Sequence, residues 1–264
     1  MAKKKRQIGI LHLYVSDPLE TGLMPDIGDM TELGKIVVDS VDLAKEDDTI
    51  TDIKNQETGD VDISILSDVG ADKITFNTRD LNITNIIRAF GGSEVNGKWQ
   101  ESTSYFRGRD LAVKIISRSV EGLHWVVDYP KAKLTAKMIS ALTETETGSI
   151  MHTLTKLTPI DESTGIKQSP KQKYAQPQAP ASGTVDNTTD EFLFELVPSF
   201  DTATEYEYSQ DGGTSWNDVT ANPITGLTGA ISIGDLLVRV KAVTTGSDQY
   251  VSGFALANTE AFTV

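Results

Sequence analysis

The pattern of apolar and polar residues changes its period within residues 59–92. Apolar residues alternate with polar ones over residues 61–65, and again at Ile74 and Phe76, which predicts two short half-buried strands separated by a turn. After these strands the apolar positions follow the spacing of a helix, at Ile83, Ile86, Ile87 and Phe90. The sequence therefore predicts two strands that lead into one short helix.

Both ends of this helix carry signals. Side-chain oxygens that can accept from the free N–H groups of the first turn are present at Asn77, Thr78 and Asp80. Gly91 and Gly92 can take the positive φ that ends a helix. We expect the apolar stripe to pack on the sheet. The opposite face is expected to be polar and directed outward, and it consists of Asn82, Asn85 and Arg88.

Before residue 59, the sequence predicts two strands separated by an irregular stretch. Residues 8–15 indicate a first strand or an extended arm, and residues 33–43 indicate a strand rich in β-branched side chains. Residues 16–31 contain two prolines and two glycines with little periodicity. We expect an irregular arm there that needs neighbouring surfaces to hold it. The acidic run at residues 42–60 connects two predicted strands, so its middle is interpreted as a long hairpin loop.

Beyond the helix the sequence predicts a hairpin and four further strands. Asn96-Gly97 is a strong hairpin signal. The four predicted strands span residues 111–120, 122–129, 131–142 and 149–157. In the third strand, alternation separates two faces: Lys131, Lys133, Thr135 and Lys137 form one, and Ala132, Leu134, Ala136 and Met138 form the other.

A change of composition divides the chain. Residues 1–162 are predicted to form a β-rich domain with one principal helix. Residues 163–183 are rich in Pro, Gln, Ser and Lys and poor in large apolar residues, which is typical of a linker. Residues 184–264 contain short alternating segments broken by glycine-containing turns, which predict a small β-sandwich.

The composition excludes several classes of protein. The chain has 264 residues, and 38% of them are hydrophobic, which suffices for one or two domains with real cores. No apolar run approaches the roughly 20 residues of a membrane-spanning helix, so no membrane partner is expected. The N-terminal residues lack the cleavage pattern of a signal peptide. The absence of cysteine excludes disulfides and Cys-ligated zinc, and fits folding in a reducing cytoplasm.

The charge is unevenly distributed. The chain carries a net charge of −14, and residues 181–264 hold only two basic side chains against twelve acidic ones. Residues 166–180 add three lysines, and residues 1–165 are moderately acidic. Neither large part of the chain is expected to attract nucleic acid through its overall charge.

Candidate catalytic and metal-binding residues are few. His12, His124 and His152 lie in three separate predicted strands, and His124, in an apolar run, is interpreted as a packed residue. The sequence lacks a nucleophile elbow, a phosphate-binding glycine loop and the H-E-x-x-H pattern. The acidic run lacks the spacing of a calcium loop. We therefore predict that the protein is not an enzyme and has no catalytic, cofactor-binding or metal-binding residues.

In the order of its elements the chain resembles the major tail tube proteins of long-tailed phages, in particular those with an immunoglobulin-like domain after the tube domain. The resemblance is carried by the early strand and arm at residues 8–31, the strands and polar loop at 33–66, the helix RDLNITNIIRAFGG, and the closing strands up to Leu157. The implied fold is mainly β: a β-sandwich or half-barrel tube domain with one principal helix, followed by a small immunoglobulin-like or fibronectin-like β-sandwich.

The resemblance implies a structural virion protein. Six copies would close a ring, and rings would stack into a tube that passes DNA without specific binding. The implied partners are further copies of this chain and the tail tip or initiator, tape measure and tail terminator proteins. The implied location is the virion tail, assembled in the bacterial cytoplasm. In the family, channel walls are typically negative, and a wall that repels phosphate lets DNA slide.

Two groups of residues receive candidate roles. The family's loop between early strands contacts the neighbouring ring, and that role is carried here to Asp47, Asp48, Thr49, Asp52, Lys54 and Glu57. The strings YEYSQDGGTSW and LLVRVKAV resemble immunoglobulin-like and fibronectin-type modules. Their candidate surface aromatics, which either bind sugar or protein or pack in the core, are Tyr206, Tyr208 and Trp216. An alternative function is surface adhesion, with both β domains binding glycan or host protein.

Overall fold

The structure is a computed structural model that describes residues 8–33, 36–37, 40–46, 49–54, 61–68, 71–104, 106–139, 148–245 and 249–262. The chain divides into two compact units. We name His12–Ile115 with Asp128–Gln172 the sheet unit. The C-terminal unit comprises the described parts of Met1–Leu11, Ile116–Val127 and Lys173–Val264.

The elements follow in chain order. They are β1 (Ile8–Ser16), a 3-10 turn (Ile27–Asp29), β2 (Thr31–Glu32), β3 (Asp42–Lys45), β4 (Thr49–Lys54), β5 (Val61–Asp68), β6 (Asp72–Thr78), α1 (Ile83–Phe90), β7 (Ser93–Val95), β8 (Lys98–Gln100), β9 (Arg109–Arg118), β10 (Leu123–Met138), β11 (Ile150–Lys156), β12 (Gln172–Pro177), β13 (Gly183–Asp186), β14 (Glu191–Phe194), a 3-10 turn (Ala203–Glu205), β15 (Tyr206–Ser209), β16 (Asn217–Asp218), β17 (Leu237–Val240) and β18 (Leu256–Ala257). The predicted mainly β fold with one principal helix is confirmed.

One sheet contains eight strands in the order β2-β1-β9-β10-β11-β6-β3, with β12 also pairing with β10. Of the alternation predicted for residues 131–138, the part over residues 131–134 separates buried from half-buried side chains, since Ala132 and Leu134 are buried and Lys131 and Lys133 are half-buried. Further along the strand, Ala136 is only half-buried and Met138 is 53% exposed. Side chains from the neighbouring strands complete the apolar layer, and they are Ile74, Phe76, Ile150 and Leu154. Burying one face of an antiparallel sheet in this way leaves the other face to solvent.

Three predicted boundaries differ from the structure. Strand β10 runs without interruption through Pro130, where the sequence analysis placed a break. In the predicted strand at 33–43, the described residues include an isolated bridge at Ile36 and the start of β3 at Asp42, while residues 34–35 and 38–39 lie outside the described residues. The acidic run predicted as a loop contains β3 and β4. Backbone hydrogen bonds hold these strands in place although their sequences are polar. Strand β3 accommodates polar and charged side chains because all four of its residues are exposed.

The segment predicted as a linker, residues 163–183, contains β12 and contributes to both compact units. Although the segment is rich in Pro and Gln, the residues of β12 follow the two-residue alternation of a strand, in which Ala175 and Pro177 are buried. The compact units therefore differ from the three consecutive ranges expected from composition. None of the helices among the described residues is long and apolar enough to cross a membrane.

The C-terminal unit contains a two-stranded sheet, β13-β14, and a four-stranded sheet, β16-β15-β17-β18. Its core includes Leu123, the first residue of β10, together with side chains from both of these sheets. The aromatic members of this core are Phe192, Phe194, Phe200, Tyr206, Tyr250 and Phe262. The predicted β-sandwich pattern of alternating inward residues thus gives a closed aromatic core.

Candidate assembly surface

One face of the eight-stranded sheet is polar and accessible. The register of β10, β11 and β6 places ten residues on this face, which we name the polar sheet face: Lys131, Lys133, Thr135, Lys137, Met151, Thr153, Thr155, Lys73, Thr75 and Asn77. All ten are half-buried or exposed. A broad sheet face with threonine and lysine side chains is suited to contact water or a polar ligand rather than a second apolar layer.

Acidic side chains offset part of the positive charge on this face. Lys131 Nζ lies 3.6 Å from Asp110 Oδ2, and Lys133 Nζ lies 3.3 Å from Asp110 Oδ1. Lys73 pairs with Glu46. Because these side chains are about one-third exposed or more, each pair contributes only about 0 to 1 kcal/mol to stability. Their main effect is to lower the local attraction for phosphate.

The half-buried carboxylate of Asp72 connects the sheet to the segment that precedes β12. Asp72 accepts from Lys156 Nζ at 2.9 Å and lies 3.3 Å from Lys171 Nζ. The hydrogen bond from Lys156, supported by Lys171, lowers the pKa of Asp72 below its ordinary value. Lys171 also lies over the ring of Tyr129, 5.3 Å from its centroid. These contacts fix the chain at the end of the sheet unit.

The candidate inter-ring residues are only partly described. Thr49, Asp52 and Lys54 lie on β4, which pairs with β5 as a separate two-stranded sheet. Asp47, Asp48 and Glu57 lie outside the described residues. The strand pairing therefore places part of the predicted loop in a two-stranded sheet, with register shifts at Thr49/Ile50 and Ile53/Lys54.

Helix α1 is confirmed, but its N-cap and its buried face differ from the prediction. Asn82 is the N-cap and accepts from the Asn85 N–H at 2.8 Å, whereas Asn77 and Thr78 belong to β6. Gly91 ends the helix with φ of 73°, as predicted. A side chain at Gly91 would clash with the Phe106 ring, 2.6 Å from an added Cβ.

The buried residues of α1 are Asn85 and Ala89, and the predicted apolar stripe is only half-buried. The Asn85 amide is satisfied locally, because its oxygen accepts from Arg88 at 2.9 Å and its nitrogen donates to the Asp80 carbonyl at 3.4 Å. The helix also contacts the β7–β8 hairpin, where Trp99 Nε1 donates to the Gly91 carbonyl at 2.8 Å. The expected division into an apolar inner face and a polar outer face was therefore wrong.

The three histidines occupy separate environments. His152 is buried at 2% exposure, lies 2.9 Å from the Thr78 hydroxyl and stacks on Phe76. Burial, with a further contribution from the nearby Arg88 charge, lowers the pKa of His152 to about 4. His124 is buried, as interpreted from the sequence, and its Nδ1 lies 2.7 Å from the Ser117 carbonyl. No cluster of metal-ligating side chains is present among the described residues.

The candidate surface aromatics have different roles. Tyr206 is fully buried, so its proposed surface role was wrong: its hydroxyl donates to the Phe200 carbonyl at 2.8 Å and accepts from the Val197 N–H at 2.6 Å. Burial raises the pKa of Tyr206 to about 12. Tyr208 is half-buried beside the core. Trp216 is half-buried, with the Arg239 guanidinium 3.6 Å from its ring centroid.

Two cavities accompany these surfaces. One, of about 640 Å³ in the sheet unit, is lined by the end of α1, residues 101–104 and 106–108, and Thr135 with Ala136 of β10. The other, of about 700 Å³ in the C-terminal unit, is lined by residues that include Trp125, Lys173, Tyr174 and Tyr250. Both volumes are in the range of ligand sites, but neither lining contains a histidine.

No protein-family model matches this chain, and no curated protein sequence matches it. Its function is therefore inferred from the pattern of the sequence and from the surfaces described above.

Proposed function

We propose that this protein is a non-enzymatic structural subunit that polymerises into the tail tube of a long-tailed phage. The observation that carries the proposal is the open eight-stranded sheet, with one buried face, one polar face and exposed terminal strands. All residues of β2 and β3 are exposed. The edge strands of a sheet can pair through their backbone with a strand of another chain. A head-to-tail contact between β3 of one copy and β2 of the next would close a ring.

In this ring the polar sheet face would line the channel. Glu46 and Asp110 compensate two of its four lysine charges, since Lys131 and Lys133 share Asp110. The wall would therefore attract phosphate less than an uncompensated lysine surface, because phosphate binding grows with the number of uncompensated cations. The acidic wall implied by the family resemblance would have to come from other residues, since most of the acidic excess lies after residue 181.

The partners follow from the same proposal. Further copies of this chain form the rings, and we propose six copies in each ring. The tail tip or initiator, tape measure and terminator proteins bind the ends and the interior of the tube. The C-terminal unit decorates the tube, and the protein resides in the virion tail after assembly in the bacterial cytoplasm.

Assembly of the purified full chain tests the proposal. Negative-stain microscopy at high protein concentration should show rings or tubes of one width, and sedimentation should show one dominant ring species. A protein that stays monomeric at every concentration, including in the presence of a tail initiator, would contradict the proposal.

Engineered cysteines test the edge contact, because the chain has no cysteine of its own. Thr31→Cys combined with Leu43→Cys places one thiol on each terminal strand, and mild oxidation should give a ladder of covalent oligomers that ends at the ring. Thr31→Cys combined with Ile233→Cys is the matched control, since Ile233 is exposed in the C-terminal unit. An equal ladder in the control would reject the edge-to-edge arrangement.

A second candidate function is the binding of glycan or protein by the C-terminal unit. The groove of about 700 Å³ supports it, because Trp125 and Tyr174 stand beside polar side chains such as Lys173 and Gln249. The Lys173 Nζ lies 4.8 Å from the Trp125 ring centroid. Trp125→Ala should abolish adhesion of the protein to bacterial cells while leaving tube assembly intact. Unchanged adhesion would reject this candidate.

A further inference from the structure

A histidine of the sheet unit is buried on the side of the sheet that carries α1. His152 of β11 is 2% exposed, and the strand register places it opposite Ala136 of β10 and Phe76 of β6. Ala136 lines the cavity of about 640 Å³ together with Ala89 of α1. The end of the helix therefore lies over the part of the sheet that holds His152.

The two ring nitrogens of His152 differ in their partners. Nε2 lies 2.9 Å from the Thr78 hydroxyl oxygen, whereas Nδ1 is buried and has no hydrogen-bond partner in the described part of the chain. Buried N–H groups without an acceptor are rarer in proteins than unused lone pairs. The hydrogen-bond pattern therefore assigns the proton of the neutral ring to Nε2, which donates to Thr78, and leaves a lone pair on Nδ1.

Protonation of His152 would create a charge that the described residues do not compensate. It adds an N–H at Nδ1, for which these residues offer no acceptor. The side chains beside the ring on the two neighbouring strands are uncharged, and they are Phe76 and Thr78 on β6 and Ala136 on β10. From α1 the charge of Arg88 acts on His152, and that charge is also positive. A buried cation without a partner is costly in a protein interior.

Helix α1 can move away from such a charge more easily than the strands can. The helix has eight residues, and its apolar stripe is only half-buried. Strand β11, in contrast, is paired with β10 on one side and with β6 on the other over nearly its whole length. Short elements with exposed apolar surface open at a lower free energy than central strands. We therefore expect the helix to open before the sheet does.

Arg88 connects the repulsion to the helix. Its Nη1 donates to Asn85 Oδ1 on the same helix at 2.9 Å, so the guanidinium moves together with α1. The charged groups that act on Arg88 are Arg109 and Asp17, which pair with each other at 2.9 Å. Separation of α1 from the sheet would remove the repulsion between Arg88 and a protonated His152, and it would let water reach Nδ1.

We propose that His152 is an acid-sensitive latch of α1: when its Nδ1 is protonated, the helix separates from the sheet while β10, β11 and β6 remain paired. Water then solvates the new N–H and the charge of the ring. The latch acts within a single chain and does not depend on ring formation. The proposed function and this inference can therefore fail separately.

Amide hydrogen exchange of the full chain tests the latch, with each rate divided by the intrinsic rate at the same pH. The pKa of His152 is about 4 in the folded state, and it returns to 6.5 when water reaches the ring. The protection of α1 should therefore fall roughly fifty- to a hundredfold between pH 7.5 and pH 4.5. At each pH β10 and β11 should remain better protected than α1. The strands β15 and β17 of the C-terminal unit should keep their protection.

Three variants separate the latch from a general effect of acid. His152→Gln keeps a donor for Thr78 but cannot be protonated, so its α1 protection should not depend on pH in this range. Arg88→Gln removes the neighbouring charge and should make the loss of protection smaller. Arg107→Gln is the matched control, since it removes an exposed arginine of the same unit and should follow the wild type. Wild-type α1 protection that is independent of pH, or an equal loss in His152→Gln, would overturn the inference.

Discussion

The sheet unit and the C-terminal unit use similar strands but manage apolar surface differently. The C-terminal unit encloses its aromatic side chains, and Phe192, Phe200, Tyr206 and Phe262 are fully buried. The sheet unit also has a buried layer, yet it exposes every residue of β3, leaves the apolar stripe of α1 half-buried and exposes Leu19, Leu23, Ile27, Ile160 and Ile166. Exposed large aliphatic side chains are fewer in the C-terminal unit, where Leu193, Ile233 and Val251 are among them. A concentration of such side chains is typical of an interaction surface.

Folding and assembly should therefore respond to different residues. Substitutions in the closed aromatic core should change the free energy of unfolding, whereas substitutions of exposed aliphatic residues of the sheet unit, such as Leu23 and Ile166, should leave it nearly unchanged. Four further substitutions or conditions test how far this separation holds, beginning with the largest expected effect.

Phe192→Ala should lower the free energy of unfolding by about 3 to 5 kcal/mol, because it removes a fully buried aromatic ring and leaves a cavity. Urea denaturation followed by circular dichroism measures the change. Leu193→Ala is the matched control, since Leu193 is the next residue of β14 and is 53% exposed, and it should change the stability by about 0.5 kcal/mol or less. Equal losses in both variants would show that the core is not closed.

Acidification should destabilise the sheet unit through His152. Its folded pKa of about 4 lies below the ordinary value of 6.5, so the folded state favours the neutral ring. This stability is complete above pH 6.5 and is lost as the pH falls toward 4, by about 3 kcal/mol in all. Urea denaturation at a series of pH values should show the loss. His152→Gln should flatten this part of the profile, because the variant has no imidazole at this buried site.

Tyr206→Phe should lower the free energy of unfolding by about 1 to 3 kcal/mol, because the Val197 N–H loses its acceptor in the core. The wild-type protein should also lose stability as the pH rises from 10 toward 12, since burial raises the pKa of Tyr206 and the folded state favours the neutral phenol. Denaturant titrations of both proteins at pH 8 and 11 measure this. Tyr208→Phe should behave like the wild type.

Asn82→Ala should cost about 1 kcal/mol, because it removes the side-chain cap on the first turn of α1. Asn82→Ser restores a capping oxygen and should recover most of the stability. Asp80→Ala is the comparison for the cap position expected from the sequence. If Asp80→Ala were the more damaging substitution in thermal melts, the assignment of Asn82 as the cap would be incorrect.

Local patterns in the sequence determined much of the fold. The switch of period before residue 83 located β6 and α1, and Asn96-Gly97 formed the predicted β7–β8 hairpin with positive φ at both residues. Alternation separated the two faces of β10 at residues 131–134, but the burial no longer follows it at Ala136 and Met138. These features depend only on residues that are close in the sequence, because turn residues and the spacing of apolar side chains act within a few positions. They can therefore be predicted from the sequence alone.

Only the tertiary structure decided which surfaces are covered. The composition of residues 163–183 indicated a linker, but pairing with β10 made β12 a strand. The spacing of apolar residues in α1 could not reveal that Asn85 is buried. The alternating residues around Tyr206 likewise could not reveal that its hydroxyl bonds Val197 and Phe200 in the core. The hydrogen bond from the Glu162 N–H to the Glu20 carbonyl joins segments more than a hundred residues apart. Burial depends on partners distant in sequence, so local periodicity determined the elements while long-range packing decided their exposed faces.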